Sequence, residues 1–304
     1  MSFRAGHYFS LENNSSAENT TENQFQSIDF SEMPLKSLTS LWKETLEKGM
    51  HGICFSLYED GQKPGDIITA AQVDRRIQIL KPHTQWIRSF SCIEGNEHIA
   101  RIAHQNGMKT LVGAWLGSDL ELNEKEIEGL IALAKEGCVD IAAVGNEVMY
   151  RGDLTEEQLL AYLYRVKEAL PDFPVGYVDA YYEFSHRPKI TEACDVILTN
   201  CYPYWEGCPI EYSLHHMQSM FGSAKDAGKG KRVIITETGW PSEGGSLKGA
   251  VASNENAMKY FIETQLWSQQ NDIEIFYFSS FDESWKVGAE GDVGAYWGLW
   301  DKNE

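Results

Sequence analysis

The stretch KRVIITETGWPSEGG (residues 231–245) sets five strand-prone residues, Arg232 to Thr236, before one carboxylate and a burst of glycine, tryptophan, proline and serine. A short apolar run that Gly239 and Pro241 turn away reads as a buried strand, so Glu237 stands where the chain leaves a sheet. A carboxylate held at a strand end is rigidly aimed. Outward from it, the same kind of run recurs at 51–57, 86–90, 110–115, 139–144, 175–178 and 195–200 on one side and at 273–279 on the other. With 233–236 these make eight. Amphipathic helical patterns separate most of them, for instance at 71–80, 124–135, 156–170 and 256–269.

The strand starts recur about every 32 residues, the size of a βαβ repeat, and eight such units predict a single-domain α/β fold, the (β/α)8 or TIM barrel. After the eighth run only about 25 residues remain, without an amphipathic helix, so the ring lacks its last helix. PLKSLTSLWKETLEKG, from Pro34 to Gly49, has helical spacing and a glycine stop just before the first strand. First and eighth strands are neighbours in a closed barrel, so this helix is expected to fill the gap. The boundaries expected are a polar N-terminal extension at 1–33 and the barrel at 34–304. Within the extension, residues 11–30 carry Asn-x-Ser/Thr triplets at Asn13, Asn14 and Asn19.

A net charge of −19 argues against nucleic acid and anionic lipid as partners and favours a neutral or cationic ligand. Aromatics at 12%, with nine tryptophans and fourteen tyrosines, supply both a core and aromatic surface. The six cysteines are scattered singly and read as free buried thiols, with no zinc-like spacing. His215 and His216 adjoin in a helical stretch and read as structural or solvated. The opening MSFRAGHYFSLENN has no leader pattern, and no segment approaches eighteen apolar residues, so no membrane span is expected. GAEGDVGAYWG (288–298) leads into no helix and reads as a loop over the site, not a phosphate cradle. No metal and no cofactor are expected.

In such barrels chemistry collects at the C-terminal strand ends. The fourth run ends VGNEV, placing Asn146 and Glu147 at its tip, and the seventh ends at Glu237. The two glutamates lie about three repeats apart, hence at one level of the barrel mouth. Paired carboxylates there suit a glycosidase, one protonated to donate and one ionised to attack or to activate water; the competing reading is a salt-bridged pair.

TETGWPSEGG (236–245) resembles the signature of glycoside hydrolase family 17, the β-1,3-glucanase family. The resemblance extends through VGNE (144–147), NCYPYW (200–205) and FDESWK (281–286). It implies a clan A barrel, with Glu147 as general acid/base and Glu237 as nucleophile of a retaining β-1,3-glucan (laminarin-type) hydrolase; a glucanosyltransferase with the same residues and a non-catalytic glucan-binding barrel are the alternatives. Cys201 inside the Asn-x-Tyr-Pro-Tyr motif, the first-strand stretch GICFSLYEDGQKPG and the added N-terminal segment depart from the plant enzymes.

Around that pair, Asn146 is expected to meet the sugar 2-hydroxyl and Tyr202 to hold the nucleophile in line. Asp179, Glu283 and Lys286 are expected on the same rim as sugar contacts, with a Glu283–Lys286 ion pair as the competing reading. Arg88 either orients a carboxylate or is a buried structural arginine. Trp115 and Trp285 are the first choices for stacking a sugar face, then Tyr204, Trp205 and Trp240. A monomer is expected, exported in its full-length form to the cell surface, the periplasm or the medium because the substrate is polymeric.

Overall fold

The computed structural model describes residues 9–10 and 27–302; Asn13, Asn14 and Asn19 lie outside them. The chain forms β1 (Met50–Cys54), β2 (Thr84–Ser89), β3 (Lys109–Ala114), β4 (Ile141–Asn146), β5 (Val175–Ala180), β6 (Val196–Asn200) and β7 (Arg232–Thr238). These are followed by β8 (Ser246–Leu247), β9 (Ala250–Val251) and β10 (Ile275–Tyr277). Eight of them close a parallel barrel in the order β1-β10-β7-β6-β5-β4-β3-β2, while β8 and β9 pair as a separate ribbon in the loop after β7. The (β/α)8 expectation is met.

The seam between first and last barrel strands pairs Gly52 with Phe276 and Ile53 with Tyr277. A side chain at 52 would begin 2.6 Å from the Phe276 ring, so glycine is what leaves room for that ring across the seam. The helices cover the barrel through apolar stripes, as where Leu130, Leu133, Leu159, Leu163 and Val166 join Val144, Val175 and Ile197 in one buried cluster. The helix Leu120–Lys135 starts ahead of its apolar pattern because Asp119 caps it, accepting from the amides of Glu121 and Leu122. Leu120 and Leu122 are exposed, so periodicity alone places that start too late.

The first helix, Leu35–Glu47, packs along Asn254–Asn271, the helix that follows β7, with the Trp42 and Phe261 rings 6.1 Å apart. Only 3-10 turns and the short helix Val287–Glu290 come after β10 among the described residues. The N-terminal helix therefore stands where an eighth helix would. The segment leading into it is tied to the same neighbour, the Ile28 amide donating to Glu263 Oε1 at 3.1 Å. All six cysteines are free and buried. Among the described residues no helix is long and apolar enough to cross a membrane.

Candidate active site

Two irregularities in the strands aim the glutamates. At the end of β4, Gly145 has φ +85° and the pairing with β5 slips between Ala143 and Asn146. Glu147 follows with φ +53°, a left-handed conformation that a side chain adopts at a cost and that clusters at functional sites. Its Oε1 accepts from Asn200 Nδ2 at 2.9 Å, and Asn200 Oδ1 in turn accepts from the Thr236 hydroxyl at 2.9 Å. At the end of β7 the pairing with β6 slips likewise, so that Asn200 opposes Glu237.

Glu237 is held by two donors. Arg88 Nη1 donates to Oε1 at 2.7 Å and the Tyr202 hydroxyl to Oε2 at 2.8 Å. The other arm of the Arg88 fork, Nη2, donates to Asn146 Oδ1 at 2.7 Å, so one guanidinium fixes both neighbours of the cleft floor. Arg88 is buried, with Phe90 beneath its plane at 4.3 Å. Burial first, then the charge of Glu237, hold the Tyr202 phenol well above its ordinary value, so it stays a donor.

Glu147 has a different environment. Burial, then the negative charges of Glu237 and Asp179, push its carboxyl up to about 8, against the opposing pull of the Asn200 hydrogen bond and Arg151. Burial and like charge therefore favour the protonated form of Glu147, while Glu237 is clamped by a cation. Both face an open cleft of about 410 Å³. Its wall includes Tyr150, Tyr181 and Tyr182 on the Glu147 side, Trp205 after β6, and Trp297 after β10.

The other residues singled out in the sequence divide. Asp179, expected on the rim, is wholly buried and absent from the cleft lining; its carboxylate accepts from the Tyr177 hydroxyl and from the amides of Ala180 and Tyr150. Trp115 and Trp285 also stay out of the lining. The Arg151 guanidinium lies 4.6 Å from the centre of the Trp115 ring, and Trp285 meets Tyr58 edge-on at 5.7 Å. Trp240 is core, 1% exposed, its Nε1 donating to Val251 O at 2.9 Å. Tyr204 belongs to the lining although only 1% exposed, and its hydroxyl donates to Gly245 O at 2.6 Å. Glu283 and Lys286 form a buried ion pair at 2.7 Å, with the lysine over Phe278 at 4.4 Å. His216 is buried and meets Glu206 Oε2 at 2.7 Å.

Sequence reasoning missed Tyr150, Tyr181, Tyr182 and Trp297. Tyr150 and Tyr181 follow Glu147 and Asp179 by a few residues, so a search just past the strand tips would have found them. Trp297 lies in the stretch read as a loop over the site.

The description "BtgE/BtgC glycoside hydrolase domain" matches residues 52–298. The chain belongs to that family. This BtgE/BtgC glycoside hydrolase domain is 28% identical to a protein of Arthroderma benhamiae named glucan 1,3-beta-glucosidase, over 76% of this chain and 81% of that one. It is 25% identical to a Saccharomyces cerevisiae protein of the same name, over 79% and 85%. Among solved structures, the domain resembles a glycoside hydrolase family 17 beta-1,3-glucanosyltransferase from Rhizomucor miehei with a TM-score of 0.74 and 29% identity, covering 84% of this chain and 95% of that one. An active-site mutant of that enzyme in complex with laminaritriose gives a TM-score of 0.76 at the same identity and coverage. The family 17 resemblance carried by TETGWPSEGG thus agrees with these relatives.

Proposed function

We propose that the domain hydrolyses β-1,3-glucan with retention, Glu237 acting as nucleophile and Glu147 as acid/base. The observation that carries the reading is the unlike setting of two carboxyls at one cleft: Glu147 raised to about 8 and Glu237 held by Arg88 and Tyr202. In the first step a Glu237 oxygen attacks the anomeric carbon, the bond to the leaving oxygen breaks, and Glu147 gives that oxygen its proton. The ester that results removes the negative charge of Glu237, which lowers the proton affinity of Glu147. In the second step Glu147 takes a proton from water as the water oxygen displaces Glu237. Asn146, its Oδ1 engaged by Arg88, has its Nδ2 to offer a 2-hydroxyl.

The relatives' names and the laminaritriose complex support the substrate class. The lining also carries Glu206, Glu290 and Asp292, carboxyl groups that can accept hydrogen bonds from sugar hydroxyls. A polymeric glucan is met outside the cell, which fits export of a monomeric enzyme whose barrel domain begins at residue 34.

Activity is expected to disappear as pH rises through about 8, because only protonated Glu147 can donate. A kcat/KM profile on a soluble laminari-oligosaccharide checks this, and a rate still flat well above that pH contradicts the assignment.

A second reading is transfer to a sugar acceptor, favoured by the Tyr150, Tyr181 and Tyr182 wall on the acid/base side, where a leaving or incoming sugar would stack. Incubation with laminari-oligosaccharides of one length separates the readings. Hydrolysis predicts shorter products only at low substrate concentration; oligomers longer than the starting material, dominant from the first time point, would replace hydrolysis by transfer. Equal cleavage of β-1,4 oligomers would remove the β-1,3 reading, and no product at all would leave a binding barrel.

A further inference from the structure

The first amides of any helix lack acceptors within it, and an acidic or polar residue at the cap normally supplies one with its own side chain. Glu147 caps the turn Val148–Arg151 yet makes no such bond. The acceptors come from three consecutive residues of β5. The Glu147 amide donates to Val178 O at 2.8 Å, the Met149 amide to the Tyr177 hydroxyl oxygen at 2.8 Å, and the Tyr150 amide to Asp179 Oδ2 at 3.3 Å. The Tyr177 hydroxyl itself donates to Asp179 Oδ2, and the Ala180 amide donates to Oδ1 at 2.8 Å. Tyr177 and Asp179 alternate onto one face of β5, are at most 1% exposed, and do not reach the cleft. On another side, Arg151 Nη1 and Nη2 donate to Asn146 O at 2.5 Å and Leu116 O at 3.0 Å.

We propose that Tyr177 and Asp179 are positioning residues for Glu147: by capping its turn from β5 they release its carboxyl from that duty and aim it into the cleft. The proposal rests on the reading of Glu147 as acid/base. It also gives the buried carboxylate a second effect. The charged groups around Glu147 are Glu237 and Asp179, which favour its proton, and Arg151, which opposes it. Asp179 itself is raised to about 7 by burial and by the charge of Glu183, against the hydrogen bonds that the neutral Tyr177 hydroxyl and the amides of Ala180 and Tyr150 donate to it. Removing the Asp179 charge therefore lowers the pH at which Glu147 gives up its proton.

The test compares Tyr177→Phe, Asp179→Asn and Glu147→Ala, and each of the first two combined with the third, on phenyl and dinitrophenyl β-laminaribiosides. The phenyl leaving group needs a proton and the dinitrophenyl group does not. Each positioning variant is expected to lose about a hundredfold in kcat/KM on the phenyl substrate, the scale of a misplaced catalytic group, and far less in kcat/KM on the dinitrophenyl one, because kcat/KM reports bond cleavage and not the later attack of water that also uses Glu147. In Asp179→Asn the basic limb of the pH profile moves to lower pH. Added to Glu147→Ala, neither change costs more, because both act through the same side chain. Equal losses in kcat/KM on both substrates, or losses that add in full to Glu147→Ala, overturn the proposal. If Glu147→Ala alone keeps its turnover on the phenyl substrate, the acid/base reading itself is what fails. Circular dichroism melts accompany each variant, and Tyr177→Phe, which removes a single hydroxyl, carries the same comparison if Asp179→Asn does not fold.

Discussion

Turnover of laminari-oligosaccharides is expected to fall by several orders of magnitude in both Glu237→Ala and Glu147→Ala, with the barrel intact. The two are distinguished by rescue. Given an activated aryl glucoside oligomer and azide, Glu147→Ala keeps its nucleophile, forms the ester and releases β-glycosyl azide after two inversions. Glu237→Ala lacks the nucleophile, so azide attacks once from the opposite face and leaves α-glycosyl azide. NMR of the products reads the anomer, and one anomer from both variants overturns the assignment of roles. The partners of each residue explain why the two differ: a cation and a phenol on Glu237, a side-chain amide on Glu147.

The second large effect is expected at Arg88. Its ion pair with Glu237 is nearly sealed, the side chains being 2% and 8% exposed. Removing one member of a buried pair strands the other, and costs about 3–5 kcal/mol of stability. Arg88→Met is expected to show that loss in urea unfolding, along with a severe loss of turnover because Glu237 and Asn146 lose their common donor. Arg88→Met combined with Glu237→Gln should recover much of the stability and none of the activity, since the stranded charge is gone. A single variant within about 1 kcal/mol of the parent would mean that water reaches Glu237 and screens it, contrary to the burial seen here.

The barrel was legible because parallel strands covered on both faces read as continuous apolar runs, and the eight runs fall in register with their helices. Glu147 and Glu237 were legible for the same reason, being the carboxylates at the tips of such runs. Side-chain direction was not. Trp115 directly follows β3 and Asp179 lies near the end of β5, yet one lies against Arg151 and the other turns to the next residues of the chain beyond β4. A shift of one residue at a strand tip exchanges the two faces, and the left-handed Glu147 makes the path beyond β4 depart from any regular pattern. The aromatic wall was hidden further, since Trp297 reaches Tyr202, Tyr204 and Trp205 only through loops whose course depends on the finished barrel.

The helix Leu35–Glu47, standing where an eighth helix would, bears on the order in which the molecule can assemble. It leaves the ribosome before any barrel strand, but the helix it packs along, Asn254–Asn271, and the strand that closes the seam, Ile275–Tyr277, follow the other seven strands of the barrel. Its apolar side, with Leu38 and Leu46, has no lasting shelter during synthesis. Closure is thus a contact between the first and last elements of the barrel, far apart in sequence, the kind whose loop entropy is large and which slows folding. A circular permutant that starts at β1 and carries this helix after β10 would turn that distant contact into a local one. It should keep the same barrel and refold faster.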